Sequence, residues 1–344
     1  MDTYPQVVTK FINRRSVFCD FFDIAKLIAF QLKSKNLSLC RKCPDMIGVD
    51  LFIKIISTSE SIVKLLPKSD EDFIDKFLDY YSIFSLTRNI IEASEKVFYI
   101  FENTDNHDER FFKIKQLELT DTNIWISKLG NIIENEQKEK QELEQKLKQA
   151  QDLKLTLELA RVLEGKQDII KSWGKDRSKH LERKEELLKE IECNTIYKKL
   201  SSSAKDKLKD IKKDFFKIVK SKSENSEDLE LADSDMYKLE DEMGYLKTDT
   251  SRFAYFICSA VSHSQSSTVN SFLFYSIEGC IYALDNIATA LALSSVYLAN
   301  SSKIFIDKVI PNINTVYEQY SDVDIKQLRD AFVYLDQAAK IIKI

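Results

Sequence analysis

Six glycines and four prolines are scattered over 344 residues, and no two of them stand close enough to punctuate a hairpin or a tight strand connection. A chain so poor in turn residues must join long elements with few loops, which favours helices. Apolar residues make up 44% of the chain, enough at this length for a sizeable core. The expected fold class is therefore all-α.

Helical spacing of Phe11, Phe18, Phe21 and Ile28 predicts a first helix over about 6 to 34. A second is read from about Met46 to Leu66, where Pro67 stops it, and Ser69-Asp70-Glu71-Asp72 has the pattern of a capping box that opens a third over about 70 to 102. From Asp121 to about Glu192 the composition shifts to Glu, Lys, Gln and Leu, the signature of a charged helical arm. Leu143, Leu147, Ala150, Leu153, Leu157 and Ala160 approximate one narrow apolar seam, and Leu181, Leu188 and Ile191 a second. A break near Gly165 to Gly174 is expected to fold the arm into a coiled-coil-like antiparallel hairpin, paired within the chain rather than along a dimeric rod.

Charge changes sign after the arm. Residues 197 to 222 hold ten lysines against three aspartates, and residues 223 to 244 hold nine acidic residues against one lysine. The first stretch is read as a basic amphipathic helix with Leu208, Ile211, Phe215, Phe216 and Val219 inward, the second as an acidic connector. The remainder is helical and apolar: one segment to about His263, a long one from about Ser267 to Ile310, and a last one from Val323 to Ile344 beyond Pro311. Segments 1–120 and 248–344 are thus expected to form two halves of one bundle core, with the hairpin 121–195 and the basic and acidic pieces 196–247 inserted between them.

Partner classes follow from the same features. A net charge of −4 argues against a globally basic nucleic-acid binder, so any such binding must be local. The first residues lack a signal-peptide pattern, Phe253 to Ile277 is too polar for lipid, and Asn286 to Ser302 is too short, so no membrane partner is expected. Six dispersed cysteines (Cys19, Cys40, Cys43, Cys193, Cys258, Cys280) suit reduced thiols in a cytoplasm. Cys40-Arg-Lys-Cys43 has half of a zinc site's spacing but no matching second pair, so no metal is expected. No glycine-rich phosphate loop, nucleophile elbow or His-Glu-x-x-His motif appears, and no cofactor is expected.

Two polar constellations interrupt the apolar pattern. On the third helix Phe73, Phe77, Phe84, Ile91 and Phe98 share a stripe, and Arg88 falls within it between Phe77 and Tyr81, with Glu92 one turn on. Such a pair is either a buried salt bridge or the edge of a functional pocket. Downstream, Arg252 and His263 share a helix face but lie roughly 16 Å apart along the axis, too far for one small ligand. Arg88 is therefore the better companion for His263. The alternative role of His263 is to cap the end of its helix.

The helix Arg88-Asn-Ile-Ile-Glu-Ala93, followed far downstream by Tyr255-Phe-Ile-Cys-Ser-Ala-Val-Ser-His-Ser264, resembles the HEPN superfamily of bacterial helical proteins over roughly residues 46–102 and 248–300. Many of its members are RNases of toxin and antiphage systems with an Arg-x(4–6)-His motif. Arg88-Asn89 matches the first half of that motif, and no histidine follows at the motif's distance. The resemblance implies metal-independent attack of a ribose 2′-hydroxyl on the adjacent phosphate. His263 would be the general acid or base, Arg88 the group stabilising phosphorane charge, Glu92 its orienting partner and Tyr255 a phosphate contact. Lys205, Lys209, Lys212 and Lys213 would supply salt-dependent attraction to RNA, unless they form a solvated face or pair with the acidic segment beside them. The competing expectation is a non-catalytic scaffold that binds a protein partner, or self-associates, through the 121–195 arm.

Overall fold

The computed structural model describes residues 3–34, 44–66, 80–101, 104, 106–213, 215–221, 228–234, 236, 238, 241, 248–263 and 277–311. In chain order its elements are α1 (Tyr4–Ser34), α2 (Pro44–Leu65), α3 (Tyr80–Phe101), α4 (His107–Gln149), α5 (Leu153–Glu192), α6 (Thr195–Lys198), α7 (Ser202–Lys209), β1 (Phe216–Lys220), β2 (Leu229–Asp233), α8 (Thr248–His263) and α9 (Ile277–Ile304), with a π-helical turn at Phe305–Val309. The all-α expectation holds, with one small two-stranded sheet added. The expected capping box at 69–72, Phe73 and Phe77, the Cys40/Cys43 pair, residues 264–276 and the helix from Val323 lie outside the described residues. The chain divides into two compact units, residues 1–105 with 235–344, and residues 106–234.

In the first unit α9 packs against both α1 and α3, α2 lies on α3, and α8 lies on α3 as well. A helix covered on several sides must be apolar almost all round, and α9 is: Leu284, Ile287, Leu291 and Leu298 are fully buried, with alanines and serines between them. Those small residues admit close neighbours, and the hydroxyls of Ser294, Ser295 and Ser302 find partners. Ser295 donates to the Leu291 carbonyl at 2.7 Å, and the Thr87 and Ser294 hydroxyls meet at 3.0 Å between α3 and α9. Aromatic contacts lock the layers, Phe52 stacking on Phe305 at 4.5 Å and Phe98 on Tyr297 at 6.1 Å. Ile281–Val309 is the one described segment long and apolar enough to cross a membrane, and 67% of its most apolar window is buried in the fold, as in the core helix of a soluble protein.

The second unit is built on the hairpin of α4 and α5. Lys115 meets Glu190 at 2.9 Å, Arg183 meets Glu118 at 2.9 Å, and Lys166 meets Glu136 at 2.6 Å, so partners on α5 fall in number as those on α4 rise. The pairing is antiparallel and within the chain. Residues spaced alternately by threes and fours form the seam, including Leu119, Ile126, Leu129 and Ile133 on α4 and Leu159, Leu163, Ile170 and Leu187 on α5, all buried or half-buried. At the base Phe112, Leu119, Leu187, Ile191, Leu208, Ile211, Phe216 and Leu231 make a separate core. Buried amides fasten it: Asn123 donates to the carbonyls of Lys209 (3.2 Å) and Ile211 (2.9 Å), and Gln116 donates to that of Lys213 (3.3 Å).

Three expectations need correction here. The hairpin turns at Ala150-Gln151-Asp152, where the Asp152 side chain caps α5 by accepting from the Lys154 amide at 3.2 Å, and not near Gly165 to Gly174, both of which sit inside α5. Leu153 and Leu157 consequently lie past the turn, 75% and 56% exposed, and do not continue the seam of Leu143 and Leu147. The basic helix is instead α6, α7 and strand β1, which pairs antiparallel with β2 from the acidic stretch in the register Phe216↔Asp233 to Lys220↔Leu229. Phe216 and Leu231 alternate inward, while Val219 is exposed. The arm also begins earlier than Asp121, because residues 107–120 send Phe112 and Leu119 into the base core of the second unit.

Candidate functional site

Arg88 sits near the middle of α3, where its spacing from Phe84 and Ile91 carries it toward α8. Its Nε donates to Glu92 Oε1 at 2.8 Å and its Nη2 to the Tyr255 hydroxyl at 3.0 Å, while the guanidinium lies over the Tyr255 ring at 5.2 Å. The side chain keeps 26% of its exposure. Three of the four proposed catalytic residues, Arg88, Glu92 and Tyr255, are thus assembled in one cluster across two helices.

The charge balance of that cluster is acidic. Burial pulls the Arg88 pKa down, but the hydrogen bond to Glu92 and the charges of Tyr255 and Glu92 more than offset this, so the guanidinium is held more firmly protonated than usual. Tyr255 is raised, first by burial and then by Glu92 and Glu95, against the opposing pull of Arg88. Glu95 was not singled out from the sequence, although Arg88, Glu92 and Glu95 at i, i+4 and i+7 belong to one helix face. Cys258, one turn beyond Tyr255, is fully buried, and burial pushes its thiol up to about 12. A neutral thiol at that depth is packing, not a nucleophile. One arginine braced by an acid and a phenol, with a second carboxylate close by, is poorly arranged to receive an anionic phosphate.

His263 closes α8, and its side chain falls outside the described residues. The helical rise alone sets it about 12 Å along the axis from Tyr255.

The lysines proposed for nucleic-acid contact lie in the second unit and are largely engaged. Lys205 lies over the Tyr197 ring at 5.4 Å, Lys209 bonds Asp206 at 3.0 Å, Lys213 bonds Asp233 at 2.5 Å, and Lys212 is exposed. Lys207 also bonds Asp233, at 2.5 Å, and the two lysines hold the Asp233 carboxyl down at about 2. Asp233 of the acidic stretch therefore pairs with two lysines of the basic one, Lys207 and Lys213.

One further surface stands out on the arm. Trp125 and Ile132 on α4 and Leu155, Val162 and Ile169 on α5 are between 36% and 49% exposed, more than isolated surface apolars require. Stepping by sevens from the Glu118–Arg183 pair sets Asp176 opposite Trp125, Ile169 opposite Ile132, Val162 opposite Glu139 and Leu155 opposite Lys146. All five apolar side chains consequently occupy the same flank of the hairpin. The opposite flank carries Gln137, Gln167 and Gly174 along the arm, with exposed Leu153 beside the turn and Leu181 toward the base, where the segment that Asn123 and Gln116 hold also lies. No protein-family model, curated protein or solved structure matches this chain.

Proposed function

We propose that the chain is a helical interaction protein that binds through its arm, residues 106–234, with the first unit as its structural body. The observation that carries this reading is the flank of α4 and α5 on which Trp125, Ile132, Leu155, Val162 and Ile169 stand exposed, on a hairpin whose seam is already filled. Seam residues hold the two helices together, helped by the Trp125 ring stacked on His180 at 6.1 Å; Ile132, Leu155, Val162 and Ile169 are surplus to that task and suited to a further helix. The test is a photo-reactive amino acid at Val162 in the full chain, irradiated in its native cells. Covalent adducts that vanish when the reactive group is moved to Gln167 on the other flank support the reading, and a complete lack of adducts at Val162 removes it.

RNA cleavage in a bacterial defence or toxin setting, as the HEPN resemblance implies, is the second reading. The observation in its favour is that Arg88, Glu92 and Tyr255 converge, as a preorganised cation with an orienting carboxylate requires. In that mechanism His263 takes the proton from the 2′-hydroxyl and Arg88 stabilises the pentacoordinate phosphate. It ranks second because Arg88 is already bonded to Glu92 and Tyr255 and the helical rise separates Tyr255 from His263. Incubation of the purified chain with labelled RNA decides it: cleavage lost in His263→Ala and in Arg88→Ala supports the reading, and equal or absent cleavage in all three proteins ends it.

A further inference from the structure

The flank that makes the arm a binding element also carries a pattern that identifies its occupant. We infer that it docks onto the same flank of a second copy of this chain, forming a four-helix bundle with the two hairpins running in opposite directions. The inference rests on the arm being a binding element, and it goes further by naming the partner.

Self-complementarity is visible in the heptad positions. A two-fold axis perpendicular to the helices, crossing the flank midway between Ile132 and Glu139, lays α4 on α4 and α5 on α5. Ile169 of each copy then falls on Val162 of the other, two exposed apolar side chains in each half of the contact. The charges at its edge follow the same symmetry: Lys128, which lies over the Trp125 ring of its own chain at 5.5 Å, comes on the base side of the axis to Glu142 on the tip side, and the Trp125 ring comes to Lys146. The alternative axis, along the hairpin, stacks α4 on α5 with the two hairpins pointing the same way and brings Glu142 toward Glu158 of the other copy, a like-charge contact. Charge thus selects the opposed arrangement. The patch from the level of Trp125 to that of Lys146 spans about 32 Å and is two helices, or roughly 20 Å, wide, giving roughly 600 Å² per copy. That approaches the ~800 Å² per partner of a standard stable interface. The same axis sets Ile132 against Glu139, which its own chain draws onto Lys166, and Leu155 against Asp176, so the apolar match is carried by Val162 and Ile169.

The experiment is sedimentation equilibrium of the full-length chain from about 1 to 100 µM. Wild type is expected to sediment as a dimer in the upper part of that range. Ile169→Glu, with helix content checked by circular dichroism, should weaken association by about a hundredfold or more. Lys128→Glu should weaken it roughly tenfold, as should Glu142→Lys, and the double variant Lys128→Glu/Glu142→Lys should restore wild-type association because the swapped pair re-forms across the axis. A wild type that stays monomeric overturns the inference. So does a dimer indifferent to Ile169→Glu, or a double variant no better than the singles. If the chain is monomeric while Val162 still cross-links to another protein in cells, the arm remains a binding element and only the second copy is excluded; if both fail, both readings fall.

Discussion

Arg88 of α3 and Tyr255 of α8 are joined twice, by a 3.0 Å hydrogen bond from the guanidinium to the phenol and by the guanidinium lying 5.2 Å above the ring. The pair ties α8 to α3 through a charged group that remains partly open to solvent. Tyr255→Phe keeps the ring and removes the acceptor, and is expected to cost about 1 kcal/mol, the worth of one intramolecular hydrogen bond. Arg88→Ala removes both contacts and leaves Glu92 without its partner, for about 2 kcal/mol. Urea denaturation checks this. Equal midpoints for wild type and Tyr255→Phe would show that the contact contributes nothing to the fold.

The helices and the Arg88–Glu92 pair were legible because both depend on spacing within one element, which a helical repeat reports directly. Tyr255 lies 167 positions from Arg88, and only packing of α8 on α3 brings them together. The turn at Ala150–Asp152 was missed for a different reason: it contains neither glycine nor proline, and its signal is Asp152 acting as an N-cap. Gly165 and Gly174 misled because a helix accommodates glycine on an open face, and nothing lies within 4 Å of a side chain at either position. The strands left a faint trace in Phe216-Lys-Ile-Val-Lys and Leu229-Glu-Leu-Ala-Asp, whose alternation is as short as the strands themselves.

Gly48 is a glycine that the packing does require. A Cβ there would sit 2.5 Å from the Phe101 ring, and Phe101 is fully buried with no room to step aside. Gly48→Ala gains about 1 kcal/mol in helix propensity. Overpacking costs about 1–3 kcal/mol and is expected to win. Thermal unfolding should therefore show a lower midpoint, whereas a raised one would mean that α2 and α3 separate easily. Phe101→Leu in the same chain should recover part of the loss.

Asp233 responds to acid in a defined window. Its carboxyl is held at about 2 by hydrogen bonds from Lys207 and Lys213, below its ordinary value of 3.8. A depressed acid contributes stability that is complete above the unfolded value and is lost as pH falls through the folded one, so the contact between α7 and β2 should weaken from about pH 4 down to about pH 2. The carboxyl resonance of Asp233, followed by NMR, should titrate near the lower end of that window. Lys207→Met should move the midpoint upward. A midpoint near 4 in the wild type would mean that solvent screens both lysines.

Lys166 and Glu136 occupy seam positions where apolar residues would pack more tightly, and their 2.6 Å contact is supplemented by Glu139. Charged groups in a seam are tolerated when they select one register from several that leucines would allow. Lys166→Leu alone leaves Glu136 facing an apolar side chain and is expected to lower stability. Replacing both, Lys166→Leu with Glu136→Leu, should raise stability above wild type, since the seam gains apolar burial without stranding a charge. The gain should come with a loss of uniqueness: a disulfide engineered to report the native register, between Ile133 and Ile170, should form nearly completely in wild type and only in part in the double variant. Complete formation in both proteins would show that the base core alone sets the register. In that case the three-way contact of Lys166, Glu136 and Glu139 serves solubility along the arm rather than its alignment.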